Sequence, residues 1–181
     1  MADLVPLEQI ADVTALLNAP YLNTFGATET GLAPATAGVI EIGEIAKTLD
    51  KTQSSLCQIK LVDPEDNEVR EGQPGELAIR SPALFSGYWK DPETNKKDFK
   101  GGWFHMGDVF RRNSDGTLTF VDRRKYLIKS GGENIYPAEI ERIILTDARV
   151  IDAAVVRKMD PHWGEIPVAF VARKDDSLNQ D

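Results

Sequence analysis

One short segment of the chain, residues 23–31, contains the residue types that nucleotide chemistry requires. A planar ring such as that of Phe25 can stack on adenine, and Gly26 lets the backbone approach a phosphate. The hydroxyl of Thr28 can donate to a phosphate oxygen, and the carboxylate of Glu29 can hold Mg²⁺. The same residues could instead form an ordinary loop packed on its aromatic side chain. The segment predicts a nucleotide-facing turn, with that loop as the alternative.

Further polar positions with possible chemistry follow later in the chain. The carboxylate of Asp108 can accept hydrogen bonds from both hydroxyls of a ribose. The guanidinium of Arg123 can bridge a ribose hydroxyl and phosphate oxygens, and the adjacent Gly131 and Gly132 permit close approach of the backbone. Each has a plainer alternative. Asp108 could cap a turn, Arg123 could belong to a solvated basic run, and Gly131 and Gly132 could form a turn at the start of a helix. His105 is expected to be structural or exposed.

The order of these segments resembles that of the AMP-forming acyl-CoA synthetases, the acyl-activating adenylate-forming enzymes. The resemblance is carried by residues 23–31, 102–108 and 122–134. It extends from about Tyr21 to the C-terminus and matches only the later part of such an enzyme. The chain is therefore expected to be a fragment of a larger ligase.

The resemblance implies a role for three residues of the first segment. Phe25 would contact adenine, Thr28 would contact the α-phosphate and Glu29 would bind the metal, and Gly26 is expected to bind the cofactor with them through its backbone. Thr28 and Glu29 are thus the expected catalytic residues. The implied cofactors are ATP or AMP and Mg²⁺, with coenzyme A as cosubstrate, and the implied partners are a small carboxylic acid, ATP and coenzyme A.

The later segments also receive roles from the resemblance. Asp108 would bind the ribose, and Arg123 would contact ribose and phosphate between the two domains. The hinge of the family falls on Tyr126, where relatives commonly carry a charged residue. Gly131 and Gly132 would line the channel for the pantetheine arm during thioester formation.

The implied reaction has two steps, in which a carboxylate and ATP give acyl-AMP and pyrophosphate, and a thiol then displaces AMP. The sequence contains no Ser/Thr/Gly-rich loop followed by Lys-Gly, which wraps the β- and γ-phosphates in this family. The family's late lysine at the adenylation centre is also missing, so the isolated chain is expected to be inactive. Alternatives are a non-catalytic adenylate-binding or protein-interaction module, or adenylation with a carrier-protein acceptor.

Composition restricts the kinds of partner. With 41% hydrophobic residues, 181 residues can bury a core. A formal net charge of −8 and the lack of a basic run argue against nucleic acid or an anionic membrane as partner. The single Cys57, expected in the core, fits a reducing compartment, and no apolar run resembles a signal peptide or membrane span. We therefore expect a cytoplasmic protein that self-associates through exposed apolar surface.

Hydrophobic periodicity predicts the elements that position these residues. The spacing predicts a helix over residues 4–17, strands from Cys57 onward, a hairpin over 109–121 and a helix beginning at Pro137. Strands at 150–156 and 168–173 complete the pattern, and residues 33–55 are expected to form a mobile loop. The predicted class is α+β. A small antiparallel sheet or distorted barrel would lie in residues 1–122, and a small α+β domain in residues 123–181.

Overall fold

A computed structural model describes residues 5–175 of the chain. Its Cα positions divide it into two compact units, of which the first ends at Phe120 and the second begins at Val121. Helices and antiparallel strands occur in both units, so the predicted α+β class is confirmed. The domain limits expected from the sequence, 1–122 and 123–181, stay predictions. Within residues 5–175, no helix has the length and apolar character needed to cross a membrane.

The first unit opens with helix α1, Leu7–Leu17, as its apolar spacing predicts. The face that includes Ile10 and Thr14 is buried, and Asn18 ends the helix in a left-handed conformation with φ 49°. On the opposite face Leu16 is 85% exposed. The self-association predicted for such apolar surface stays a prediction.

Antiparallel strands make up most of the rest of the first unit. One sheet has the order β1-β2-β3, and a larger one has the order β4-β5-β7-β6, with β8 also paired to β7. A short helix, α2, precedes β6. In chain order the bounds are β1 Tyr21–Phe25, β2 Ala35–Ile40, β3 Thr52–Gln53, β4 Gln58–Val62, β5 Pro74–Arg80, α2 Pro92–Asp98, β6 Phe99–Lys100, β7 Trp103–Arg112 and β8 Leu118–Arg123.

The core of the first unit is aromatic at its centre. Phe110 is fully buried, and the rings of Phe25 and Phe120 meet it edge to face at centroid distances of 4.7 and 5.4 Å. Alternate residues of the larger sheet, such as Leu77, join this cluster, as expected for strands with one buried face. Cys57 is buried in the same cluster, and its predicted core position is confirmed.

The prediction of a mobile loop over residues 33–55 is wrong. This stretch contains β2 and β3, which pair with each other, and β2 also pairs with β1. Ala35 and Ala37 form the buried face of β2, and such small side chains give little hydrophobic periodicity. Lys51 exchanges backbone hydrogen bonds with Leu118 at 2.9 and 2.8 Å, which fixes the end of the stretch.

Over residues 121–175, the second unit is a four-stranded antiparallel sheet with one helix. The sheet has the order β10-β9-β12-β11, and the helix begins at Pro137, as predicted. Oε1 of Glu141 on α3 accepts a hydrogen bond from the amide of Val155 on β11 (2.7 Å), and Val155 is buried. The predicted strands are present and longer than expected. The bounds are β9 Ile128–Ser130, β10 Glu133–Ile135, α3 Pro137–Ile144, β11 Val150–Asp160 and β12 Gly164–Arg173.

Candidate functional site

Local hydrogen bonds build the turn that follows β1. After Phe25 and Gly26 the chain enters one turn of 3₁₀ helix, Thr28–Thr30. The buried hydroxyl of Thr30 donates to the carbonyl of Ala27 (2.8 Å) and accepts from the amide of Ala27 (3.2 Å). A Cβ at Gly26 would lie 3.2 Å from that hydroxyl, so glycine suits this close approach. Thr28 is exposed and can meet a ligand.

A second segment, residues 83–88, contacts this turn. The amide of Phe85 donates to the carbonyl of Glu29 (3.0 Å). Gly31 has φ +66°, and a Cβ there would clash with the carbonyl oxygen of Ala83. Both the left-handed backbone and the tight contact require glycine at position 31.

The carboxylate of Glu29 is held by a tyrosine of the second segment. The hydroxyl of Tyr88 donates to Oε1 of Glu29 at 3.0 Å, across 59 residues of sequence. Burial, and then the hydrogen bond to Glu29, raise the pKa of Tyr88 from 10.0 to about 12, since both disfavour the phenolate. The hydrogen bond fixes the orientation of a half-buried carboxylate on the turn that carries Thr28.

Phe25 lies in the core of the first unit. Its side chain is 5% exposed, and its ring packs edge to face against Phe110. Stacking on a base needs an accessible ring face. The observed placement agrees with the alternative of a loop packed on its aromatic residue. The adenine contact of Phe25 stays a prediction, and it requires the ring to become uncovered.

Asp108 lies in a bulge of β7. The pairing of β7 with β5 shifts register between Glu76 and Ala78, and Gly107 has φ +74° at this point. Glycine at positive φ is typical of a bulge that redirects neighbouring side chains. Asp108 is 2% exposed. Phe110, two residues along the strand, packs against the ring at the end of β1, so the first two predicted segments are neighbours through the core.

His105 is buried between two carboxylates. Its Nε2 lies 3.6 Å from Oδ1 of Asp66, and its Nδ1 lies 3.6 Å from Oε2 of Glu76. Neither ring nitrogen has a hydrogen-bond partner among the described residues. His105 is expected from the sequence to be either structural or exposed. It is buried, so the expectation of exposure is wrong and the structural position is the one observed.

In the second unit, Arg123 ends β8 and is exposed. The preceding Asp122 is buried, and its carboxylate accepts hydrogen bonds from the amides of Arg123 (2.6 Å) and Ala138 (3.0 Å). Ala138 lies in the first turn of α3, where amides lack partners within the helix and favour negative charge. Asp122 therefore ties the end of β8 to the start of α3.

Tyr126 ends a 3₁₀ turn, Arg124–Tyr126, and is 51% exposed. The Nζ of Lys125 lies 4.7 Å from the centroid of its ring, within cation–π distance. The carbonyl of Lys125 accepts a hydrogen bond from Nη2 of Arg157 on β11 (2.6 Å). This turn is anchored to the sheet of the second unit, and the hinge role of Tyr126 stays a prediction.

Gly131 and Gly132 form the two-residue turn of the β9–β10 hairpin, with φ +56° and +91°. Two successive positive φ values are typical of a type I′ turn, so the helix-entry alternative is wrong. The amide of Gly131 donates to the carbonyl of Trp163 (2.9 Å). A Cβ at Gly131 would lie 2.6 Å from Cε3 of the Trp163 ring, whereas one at Gly132 would meet nothing within 4 Å.

The donor set around Glu29 suits a metal that is shared with a nucleotide. No group of three or more His, Cys, Asp or Glu within residues 5–175 is arranged to hold an ion. Mg²⁺ is commonly bound by one or two carboxylates together with substrate phosphates. A carboxylate has about four lone-pair sites, so Glu29 can accept from Tyr88 and still coordinate a cation.

Comparison with known proteins gives the family. The family model described as "AMP-binding enzyme" matches residues 2–89, and that described as "AMP-binding enzyme C-terminal domain" matches residues 139–181. The chain belongs to the AMP-binding enzyme family. The resemblance carried by the sequence segments is therefore confirmed.

Two curated proteins that are similar to this chain are acyl-CoA ligases. A 2-succinylbenzoate–CoA ligase of Geobacillus sp. (strain WCH70) is 37% identical over 86% of this chain and 31% of its own length. A long-chain-fatty-acid–CoA ligase of Escherichia coli O157:H7 is 41% identical over 68% of this chain and 22% of its own length. The chain thus spans about a third or less of these relatives.

A solved member of the family shares the fold. It is the o-succinylbenzoate CoA synthetase of Bacillus subtilis in complex with an acyl-adenylate intermediate, with a TM-score of 0.74 and 28% identity over 96% of this chain and 35% of that chain. The same enzyme in complex with ATP and a magnesium ion matches with a TM-score of 0.70 and 28% identity over 91% of this chain and 34% of that chain.

The structure brings some predicted residues together and adds others. Gly26, Thr28 and Glu29 share one turn, whereas Arg123, Tyr126, Gly131 and Gly132 belong to the second unit. Sequence reasoning missed Tyr88. The available signal was weak, because it consisted of one tyrosine following a glycine.

Proposed function

We propose that this chain is the adenylate-holding and thioester-step region of an ATP- and Mg²⁺-dependent acid–thiol ligase. The names of its relatives support the proposal, and one observation carries it. The carboxylate of Glu29 is fixed by Tyr88 beside the exposed hydroxyl of Thr28. An oriented carboxylate next to a hydroxyl donor suits a magnesium nucleotide.

In the first step a substrate carboxylate attacks the α-phosphate of ATP, giving acyl-AMP and releasing pyrophosphate. Thr28 donates to a non-bridging α-phosphate oxygen, where negative charge develops. Glu29 would hold Mg²⁺, which would neutralise phosphate charge when bound. Asp108 would accept hydrogen bonds from the ribose hydroxyls and Phe25 would contact the adenine, and both of these buried side chains would have to become accessible to do so.

In the second step the thiol of coenzyme A attacks the acyl carbonyl and AMP leaves. Arg123 contacts ribose and phosphate, and the chain pivots at Tyr126 between the two steps. The hairpin turn of Gly131 and Gly132, which has no side chains, lines the path of the pantetheine arm. A carrier-protein pantetheine would suit the same turn, and it is the alternative acceptor.

We further propose that the chain does not turn over alone. Its sequence has no Ser/Thr/Gly-rich loop followed by Lys-Gly, and positioning and charge stabilisation each contribute orders of magnitude to the rate. Pyrophosphate exchange with ATP and a panel of acids measures this directly. Exchange above background by the chain would contradict it.

Calorimetric titration with a non-hydrolysable acyl-adenylate mimic plus Mg²⁺ tests the binding function. We expect micromolar affinity and a loss of about tenfold in Thr28→Ala, which corresponds to about 1.4 kcal/mol. Thr48→Ala removes a hydroxyl from another exposed threonine of the first unit and should leave the affinity unchanged. A folded chain that releases no heat, or equal affinity in both variants, would contradict the proposed site.

A further inference from the structure

The backbone of Tyr88 is clamped by a side chain from α2. Its amide donates to Oδ1 of Asn95 (2.7 Å), and its carbonyl accepts from Nδ2 of Asn95 (2.8 Å). A Cβ at Gly87 would lie 2.8 Å from that Oδ1, so the Asn95 amide fills the space that a side chain would need. Asp91 in turn caps α2, with Oδ1 accepting from the amide of Thr94 (3.0 Å).

The ring of Tyr88 is also fixed. It packs edge to face on Phe85 at a centroid distance of 4.9 Å, and Phe85 packs on Phe104 at 5.2 Å. The amide of Phe85 bonds the carbonyl of Glu29. Backbone, ring and hydroxyl of Tyr88 are therefore all held in the arrangement that contacts Glu29.

We propose that Tyr88 is a positioning residue that orients the Glu29 carboxylate for a nucleotide-bound divalent cation, with Asn95 holding Tyr88 in place. This inference rests on the proposed function, because that function assigns the cation to Glu29. The hydroxyl at 3.0 Å restricts rotation of the carboxylate and occupies one lone-pair site. The cation then meets a ligand that has already lost its rotational freedom.

A purely structural hydrogen bond and a positioning one respond differently when Tyr88 is changed. A hydrogen bond that only satisfies the Tyr88 hydroxyl contributes to stability, and its loss leaves the affinity for the cation unchanged. A hydrogen bond that orients Glu29 also contributes to the affinity for the cation, and only while Glu29 keeps its carboxylate.

The first measurement is the NMR spectrum of the full chain labelled with ¹³C at the tyrosine Cζ, recorded at a single neutral pH. The chain has 4 tyrosines, and loss of a signal in Tyr88→Phe assigns the one of interest. We expect saturating Mg²⁺ plus ATP to shift the Tyr88 signal in the wild type and to leave it in place in Glu29→Gln. A Tyr88 signal that does not change with Mg²⁺ and ATP in the wild type would overturn the inference.

The second measurement is the affinity for Mn²⁺ with ATP, followed by paramagnetic resonance. Tyr88→Phe should weaken binding ~3- to 10-fold, the equivalent of one hydrogen bond of about 0.7–1.4 kcal/mol. Glu29→Gln should weaken it further, and the double variant should match Glu29→Gln alone. Trp89→Phe alters the neighbouring side chain, which is 87% exposed, and should bind like the wild type.

The variants separate failure of this inference from failure of the proposed function. Loss of binding in Glu29→Gln with wild-type binding in Tyr88→Phe would overturn the positioning role alone. Wild-type binding in both variants, or no binding by the wild-type chain, would overturn both. Asn95→Ala keeps the phenol but releases its backbone, so it provides the test if Tyr88→Phe does not fold. Unchanged affinity in Asn95→Ala would count against the clamp.

Discussion

The two turns that carry the predicted site residues are held in different ways. In the first unit, the turn with Glu29 is bonded by the hydroxyl of Tyr88 and the amide of Phe85 from a distant segment. In the second unit, the turn of Gly131 is bonded to the carbonyl of Trp163 and lies against its half-exposed ring. A half-buried carboxylate whose orientation is fixed by a distant hydroxyl suits charge stabilisation, whereas an exposed hairpin turn suits movement.

The substitution with the largest expected loss of stability lies in the aromatic core of the first unit. Phe110→Ala removes a fully buried ring that contacts two others, and should cost about 3–5 kcal/mol of unfolding free energy. Hydrogen exchange read by mass spectrometry should show the loss in the first unit. Phe170→Ala, at a position 62% exposed in the second unit, should change stability by less than about 0.5 kcal/mol. Equal losses in the two variants would contradict the comparison.

The next effect concerns the second unit. Asp122→Ala leaves the amide of Ala138 without its charged acceptor and should cost about 1.5–3 kcal/mol. Amides in the first turn of α3 should then exchange faster, while those of the first unit keep their rates. Asp152→Ala, at an exposed position of β11, is the matched control. Unchanged exchange in α3 would show that the carboxylate of Asp122 does not hold the helix.

A smaller effect tests the contact between Gly131 and Trp163. Gly131→Ala places a methyl group against the ring and strains a positive φ, so it should cost about 1–3 kcal/mol. Trp163→Ala in the same chain should recover part of that loss, because it removes the clash. The same cycle with Gly132→Ala should be additive, since nothing lies near its Cβ. Similar coupling in both cycles would contradict the assigned contact.

The smallest effect is a pH dependence of the first unit. The pKa of Tyr88 is about 12 in the fold and 10.0 ordinarily, so between these values the folded chain keeps a proton that the unfolded chain has lost. This contribution to stability is complete below pH 10 and decreases as pH rises toward 12. Denaturant unfolding of Tyr88→Phe across this range should show a flatter profile than the wild type. Superimposable profiles would rule out the shift.

Local patterns in the sequence predicted much of the fold. The apolar spacing of α1, the hairpin turn that contains Gly116 and the helix start at Pro137 each depend on neighbouring residues. The site was less accessible to this reasoning. Tyr88 and its partner Glu29 are 59 residues apart in sequence, and hydrophobic periodicity gives no information on such a long-range contact. An aromatic residue at the end of a strand, such as Phe25, can stack on a ligand or pack in a core. Its ring lies in the core because Phe110 of β7 packs against it, and the local sequence does not show that contact.

The hydrogen bond from Ala138 to Asp122 closes a ring in the chain of the second unit. Residues 123–137, which include Arg123, Tyr126 and Gly131, form a loop whose ends meet at this bond, 16 residues apart in sequence. Opening the bond returns the entropy that loop closure removed. A backbone rotation at Tyr126 must either break this ring or carry Asp122 along with α3. For the proposed hinge at Tyr126, this one buried carboxylate contact would oppose the rotation, and Asp122→Asn should weaken that opposition.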